Sequence, residues 1–123
     1  MEKYNLRYSR EENIALSASR LLGEGNVLGW FQGRMEIGPR ALGNRSIVAN
    51  PMINGMNNKV NEIKRREKWR PFAPSILEED VQDYFYDYND FYFMIVSSKT
   101  RSEKKEEIPS VVHVDGTARP QAV

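Results

Sequence analysis

Cysteine is missing from the 123-residue sequence, and histidine occurs once, as His113. Disulfides and thiolate metal sites are therefore excluded, and so is a self-contained histidine-rich metal centre. A Ser-His-Asp triad would have to use His113. No apolar run approaches the roughly 18–20 residues that span a bilayer, and the polar start does not read as a signal peptide, so no membrane partner is expected. A cytoplasmic protein is the simplest expectation. Neither sign of charge dominates, with 18 Lys and Arg against 17 Asp and Glu and a net +1. The length and the 40% hydrophobic and 28% charged fractions fit one globular domain, residues 1–123, able to bury a core.

The charge is unevenly placed. Between Gly33 and Pro71 stand nine bases (Arg34, Arg40, Arg45, Lys59, Lys64, Arg65, Arg66, Lys68 and Arg70) and three acids (Glu36, Glu62 and Glu67). That third of the chain carries +6 and the remainder −5. Its first half is punctuated by Gly33, Gly38, Pro39 and Gly43. Arginines on a backbone bent by glycine are suited to gripping phosphate or carboxylate, because guanidinium donates two parallel hydrogen bonds. The P-loop pattern is absent, and arginine does not replace its lysine. Glu36 is expected to fix one of the arginines.

Periodicity predicts a mixed α/β or α+β domain. Ser9 to Glu12 fits a capping box, followed by Ile14, Ala18, Leu21 and Leu22 at helical spacing, with Gly23 or Gly25 as the stop. Residues 27–31 and 45–49 read as strands. Asn50-Pro51 opens a second helix with the stripe Met52, Met56, Val60 and Ile63, ending near 66–68; Asn57, Asn61 and Lys64 fall beside that stripe. A strand over 70–77, a short helix over 78–85 and strands over 91–96 and 111–114 follow, with 99–107 as a charged, exposed loop. The order favours a mixed twisted sheet with flanking helices.

Lys64, Arg66 and Arg70 could converge where helix meets strand. Like charges there repel by a few kcal/mol at an effective dielectric near 20, and a bound anion reverses the sign. The alternative is a solvated basic face at a helix C-terminus. His113 beside Asp115 reads as structural rather than as a metal ligand. The aromatic run Tyr84, Phe85, Tyr86, Tyr88, Phe91, Tyr92 and Phe93 reads as packing rather than base stacking, since Asp80, Asp83, Asp87 and Asp90 are interleaved with it and would repel a nucleic-acid backbone.

Three blocks carry a resemblance. GWFQGRMEIGPRALGNRS from Gly29 to Ser46, NEIKRREKWRPFAP from Asn61 to Pro74 and IPSVVHVDGTAR from Ile108 to Arg119 resemble, in order, the signature of the NodU/CmcH O-carbamoyltransferases. The similarity covers nearly the whole chain. It implies the C-terminal YrdC-like domain of such an enzyme, here incomplete because the family's Asn-Thr-Ser block would follow. The resemblance implies that this domain uses ATP with Mg2+ and carbamoyl phosphate to form carbamoyl adenylate. An N-terminal actin-like-ATPase-fold transferase domain, fused or separate, then passes the carbamoyl group to a hydroxyl; the family's own metal ion belongs to that domain. Carried over by position, Lys64 and Arg70 become the catalytic residues. Arg34, Arg40, Lys64, Arg66, Arg70 and Arg119 become the phosphate-binding set for substrate and nucleotide. The alternatives are an RNA-binding YrdC-like module and an inactive fragment or partner subunit.

Overall fold

A computed structural model describes residues 4–87 and 90–123; Tyr88 of the aromatic run lies outside the described residues. Helix α1 (Ile14–Gly23) leads into the antiparallel pair β1 (Leu28–Phe31) and β2 (Arg45–Val48), in the register Leu28 opposite Val48 and Phe31 opposite Arg45. Helix α2 (Met56–Ile63) follows, then β3 (Ser75–Ile76) and the short helix α3 (Val81–Tyr84). β4 (Ser98–Lys99), β5 (Thr117–Ala118) and β6 (Gln121–Ala122) complete the order. The α+β class expected from sequence is observed. Its strands form three two-stranded pairs: β1–β2 and β4–β5 antiparallel, and β3–β6 parallel.

The core is assembled late in the sequence. Val81, Phe85, Phe91, Ile108, Val111, Ala118 and Ala122 form one buried cluster, with Phe72, Ile76, Tyr84 and Val112 packed against it. Phe85 and Phe91 meet edge to face with centroids 6.4 Å apart, an arrangement favoured by the ring quadrupole. This is the packing role expected of the aromatic run, although Tyr86, Tyr92 and Phe93 remain exposed.

Helix ends depart from the sequence reading for identifiable reasons. Asn13, not Ser9, caps α1, its side chain accepting from the Leu16 amide at 3.0 Å. Glu11 instead takes the Ser9 and Ser17 hydroxyls. The stop is Gly25 at φ 82°, with Gly25 N–H donating to Leu22 O and Asn26 N–H to Leu21 O, a left-handed C-terminal cap for which glycine is suited. Asn50 holds the Met52 amide at 3.0 Å, but no helix starts there. The Pro51 and Ile53 carbonyls accept from the backbone and hydroxyl of Ser110, at 3.2 and 2.6 Å, and α2 begins only at Met56 after Gly55. It stops at Ile63, short of residues 66–68. Arg65 adopts φ 50°, with Arg65 N–H donating to Glu62 O and Arg66 N–H to Asn61 O. This is the same cap made by a residue that lacks glycine's freedom.

Three strand assignments shift. Only Ser75–Ile76 of 70–77 pairs, with the C-terminal β6. Residues 91–93 form a 3-10 turn that ends at Met94 with φ 53°, which buries Phe91 while leaving Phe93 outside. Residues 111–114 are a turn closed by His113 N–H donating to Thr117 O at 2.7 Å, and the strand is displaced to Thr117–Ala118. The segment 99–107 is more ordered than a solvated loop. Thr100 is fully buried, and Lys104 pairs with Glu107 at 2.8 Å while Glu107 accepts from the Tyr84 hydroxyl.

Asn61, expected beside the apolar stripe, is fully buried. Its Nδ2 donates to the carbonyls of Lys68 and Arg70, at 3.0 and 2.9 Å, and its Oδ1 accepts from Arg66 Nε at 2.6 Å. One amide thus ties the end of α2 to the segment entering β3. Asn61→Leu should destabilise the chain by about 2–4 kcal/mol, because it leaves two carbonyls and a guanidinium N–H without partners. Urea denaturation measures this; a loss under about 0.5 kcal/mol would mean the network contributes nothing.

Candidate functional site

The glycine–arginine loop is held by its own acid. Glu36 Oε1 accepts from the backbone amides of Leu42 and Asn44, both at 2.7 Å. These hydrogen bonds, Asn44 first, pull its pKa down from 4.5 to about 2. The expectation that Glu36 fixes an arginine is thereby corrected: the carboxylate holds backbone N–H groups. Gly38 and Gly43 lie at φ 132° and 108°, values that a side chain would oppose and that let the loop fold back onto Glu36. Arg45 closes the mouth, donating to the carbonyls of Gln32 (2.7 Å), Asn44 (2.9 Å) and Gly33 (3.2 Å) while stacked 3.4 Å over the Phe31 ring. Its charge is spent on architecture.

A single glutamine joins the three sequence blocks. Gln121 N–H donates to Pro74 O at 2.8 Å, its Oε1 accepts from Ser75 Oγ at 3.3 Å, and its Nε2 donates to Leu42 O at 3.1 Å. Because β3 and β6 run parallel, the segments that enter them arrive at one end of the pair. Arg119 enters β6 there, Arg70 and Pro71 lead into β3, and the Arg40 loop is tied to the same end through Leu42.

Arg40 and Arg119 are neighbours. The positive charge of Arg40 adds to burial in lowering the Arg119 pKa, burial being the larger cause. The Nε–H groups of both are enclosed and hydrogen-bonded to nothing among the described residues. Arg66 and Arg70 form a second pair. Burial, then Arg70, lowers the Arg66 pKa, with Glu67 opposing; Arg70 Nε meets Glu67 Oε2 at 2.9 Å. Arg66 lies 4.5 Å from the Phe72 ring centre, so an aromatic face and the Asn61 amide set its direction. Lys64 caps α2 and is exposed, as is Arg34; neither side chain forms a hydrogen bond or ion pair with the described residues. Lys59, at 2.8 Å from Gly25 O, belongs to the end of α1.

Sequence reasoning missed Gln121 and Asn61. Neither is charged, and their importance lies in bonds across 79 and 9 residues that no local pattern encodes. His113 lies in a turn rather than in the strand expected over 111–114. Asp115 Oδ1 accepts both the amide and the hydroxyl of Thr117, at 2.9 and 2.8 Å, and Thr117 Oγ1 lies 3.2 Å from His113 Nδ1. The hydroxyl proton is committed to Asp115, so Nδ1 carries the imidazole proton and donates.

The fold is a small α+β domain in which Arg119 enters β6, the loop bearing Arg40 is tied to β6 through Gln121 and Leu42, and Arg66 and Arg70 form a separate pair on the segment before β3. A family model described as carbamoyltransferase C-terminus matches residues 19–123, and the chain belongs to that family. It is 44% identical over 123 residues to nodulation protein NolNO of Sinorhizobium fredii, covering 97% of this chain and 18% of that protein. It is 40% identical over 112 residues to the 3'-hydroxymethylcephem-O-carbamoyltransferase of Streptomyces clavuligerus, covering 91% and 21% respectively. With nodulation protein U of Rhizobium tropici the figures are 41% over 108 residues, 88% and 19%. The chain therefore spans about a fifth of the length of these relatives. The family resemblance read from the three blocks holds.

Glu36 supplies a direct test of the loop. A carboxylate whose folded pKa lies below its unfolded value adds stability above the unfolded value and loses it as pH falls towards the folded one. The loop should therefore loosen progressively between about pH 5 and pH 2. The amide proton shifts of Leu42 and Asn44, followed by NMR, should titrate together with a midpoint of about 2. A midpoint at the ordinary 4.5 would show that the carboxylate does not hold them.

Proposed function

We propose that this chain binds carbamoyl phosphate and ATP and serves the activation half of an O-carbamoyl transfer, forming carbamoyl adenylate. The observation that carries this reading is the pair Arg40 and Arg119, two neighbouring guanidinium groups with enclosed, unpartnered Nε–H groups. A buried donor without an acceptor costs about 1–3 kcal/mol, and neighbouring like charges add to that cost. A phosphate oxygen relieves both. Arg66 and Arg70, a second pair on the segment between α2 and β3, are assigned to a second phosphate by the family pattern. Lys64 and Arg34 are exposed cations within reach of a polyphosphate by the family pattern.

Positioning and charge neutralisation account for the protein's share of this chemistry. Carbamoyl phosphate loses its phosphoryl group to water, giving carbamate and phosphate. A carbamate oxygen then forms a bond to the α-phosphorus of ATP while the bond to pyrophosphate breaks. Carbamate already carries its negative charge, so no side-chain base is needed, and arginines stabilise the charge that gathers on the phosphoryl and leaving oxygens. Magnesium, held mostly by phosphates and water, would neutralise the nucleotide; the cationic side chains here fit the anion rather than the metal. Acceptor hydroxyls would be handled by the part of the enzyme that lies outside this fifth.

Isothermal titration of the chain with carbamoyl phosphate and with ATP tests the proposal. Arg40→Ala and Arg119→Ala should each weaken carbamoyl phosphate binding at least tenfold, whereas Lys59→Ala should leave it within twofold. Binding of RNA with a steep salt dependence, and no response to carbamoyl phosphate, would establish the nucleic-acid reading instead. No heat with either small molecule would sink the adenylation reading for this chain.

A further inference from the structure

We infer that the α1 and β1–β2 unit, residues 14–48, is an interface that docks onto the part of a carbamoyltransferase preceding this region in its relatives. The inference rests on the family and is independent of which anion the arginines bind. Its first observation is where the core lies. Every member of the buried apolar cluster falls between Val81 and Ala122, and none of the residues of α1 is buried. Yet α1 carries the apolar stripe of a packed helix. Ile14 and Leu21, seven residues apart and so on one face, are 57% and 43% exposed, and of the apolar residues of α1 only Ala18 and Leu22 are partly covered.

The hairpin repeats the pattern. Leu28, Trp30 and Val48 face partly inward, and the opposite face presents Phe31, 79% exposed, and Ile47, 46% exposed, beside Gly29. That face is part apolar and part cationic, with Arg45 lying over the Phe31 ring, and an isolated two-stranded hairpin is marginal in water. This chain covers one side only.

The length of the relatives indicates the occupant. The matched region is 18–21% of the proteins named above and is the carbamoyltransferase C-terminus. Some four fifths of each relative therefore lies outside it. A second copy of this chain is the competing occupant, and the test separates the two.

Hydrogen exchange of the chain alone should be compared with that of a chimera in which this chain replaces the matched region of nodulation protein NolNO. Peptides covering residues 14–48 should exchange at least tenfold more slowly in the chimera, and those covering 81–122 should change less than twofold. Leu21→Lys and Ile47→Lys should abolish the added protection without moving the melting temperature of the chain alone by more than about 2 °C. Equal exchange in the two contexts overturns the inference, as does protection insensitive to these substitutions. So does a chimera that is insoluble where NolNO itself is soluble. A fall of more than about 5 °C in the isolated variants would make these residues part of the chain's own core. Dimerisation of the chain, seen by light scattering and lost in the same variants, would assign the face to a second copy.

Discussion

The structure depends on one side chain's reach. Gln121 bonds the glycine loop through Leu42 O, while its backbone amide and Oε1 hold Pro74 and Ser75. Gln121 is 6% exposed, so its hydrogen bonds form where water competes little, and a missing partner would leave a buried polar group unsatisfied. The three segments that bear arginines are remote in sequence, yet they meet because the two strands run in the same direction and this amide bridges to the loop. Without it, no side-chain hydrogen bond among the described residues would tie the loop bearing Arg40 to the segment carrying Arg119.

Around that junction the chain separates two uses of arginine. Arg45 is satisfied by three carbonyls and an aromatic face, and Arg66 by Asn61 and Phe72. Their positions are fixed whether or not a ligand is present. Arg40 and Arg119 are the reverse: half-buried, close enough for one charge to act on the other, and with enclosed Nε–H groups that have no acceptor among the described residues. Glu36 and Gln121 hold the loop that bears Arg40 through hydrogen bonds that engage neither arginine. Glu36, the acid in the loop, is turned to backbone amides and forms no ion pair with either arginine among the described residues. Local destabilisation of this kind is expected where a site is preorganised for charge.

Much of this was legible in the sequence. Helical periodicity located α1 and α2, glycine and apolar runs located β1 and β2, and the crowding of arginines singled out Arg40, Arg66 and Arg70 as candidates. Boundaries failed where tertiary bonds outbid local ones: Ser110 drew off the carbonyls that would have started α2 at Asn50, and Arg65 took a left-handed cap that sequence reserves for glycine. The strands expected at 91–96 and 111–114 failed because their apolar residues are core anchors on turns, with Phe91 and Val111 buried. Period-2 patterning cannot distinguish those cases. Asn61 was misjudged because an asparagine one position from an apolar stripe looks solvated until its partners, Lys68 O and Arg70 O, fold back over it.

The division between a C-terminal core and an uncovered N-terminal unit bears on the site itself. Arg119 and Gln121 stand on or beside the core strands, whereas Arg40 belongs to the loop between β1 and β2, in the unit without buried apolar side chains. On the proposed function, an anion held between Arg40 and Arg119 would bridge the two units, and anything that fixes the hairpin would lower the ordering cost of that bridge. By linkage the effect is reciprocal: covering the hairpin raises affinity for the anion by the same factor by which the anion raises affinity for the cover. In a carbamoyltransferase that coupling has a chemical use. On the proposed function, an adenylated carbamoyl group would be lost to water unless its acceptor were at hand, and a site that tightened only when the neighbouring region was seated would commit the nucleotide when transfer could follow.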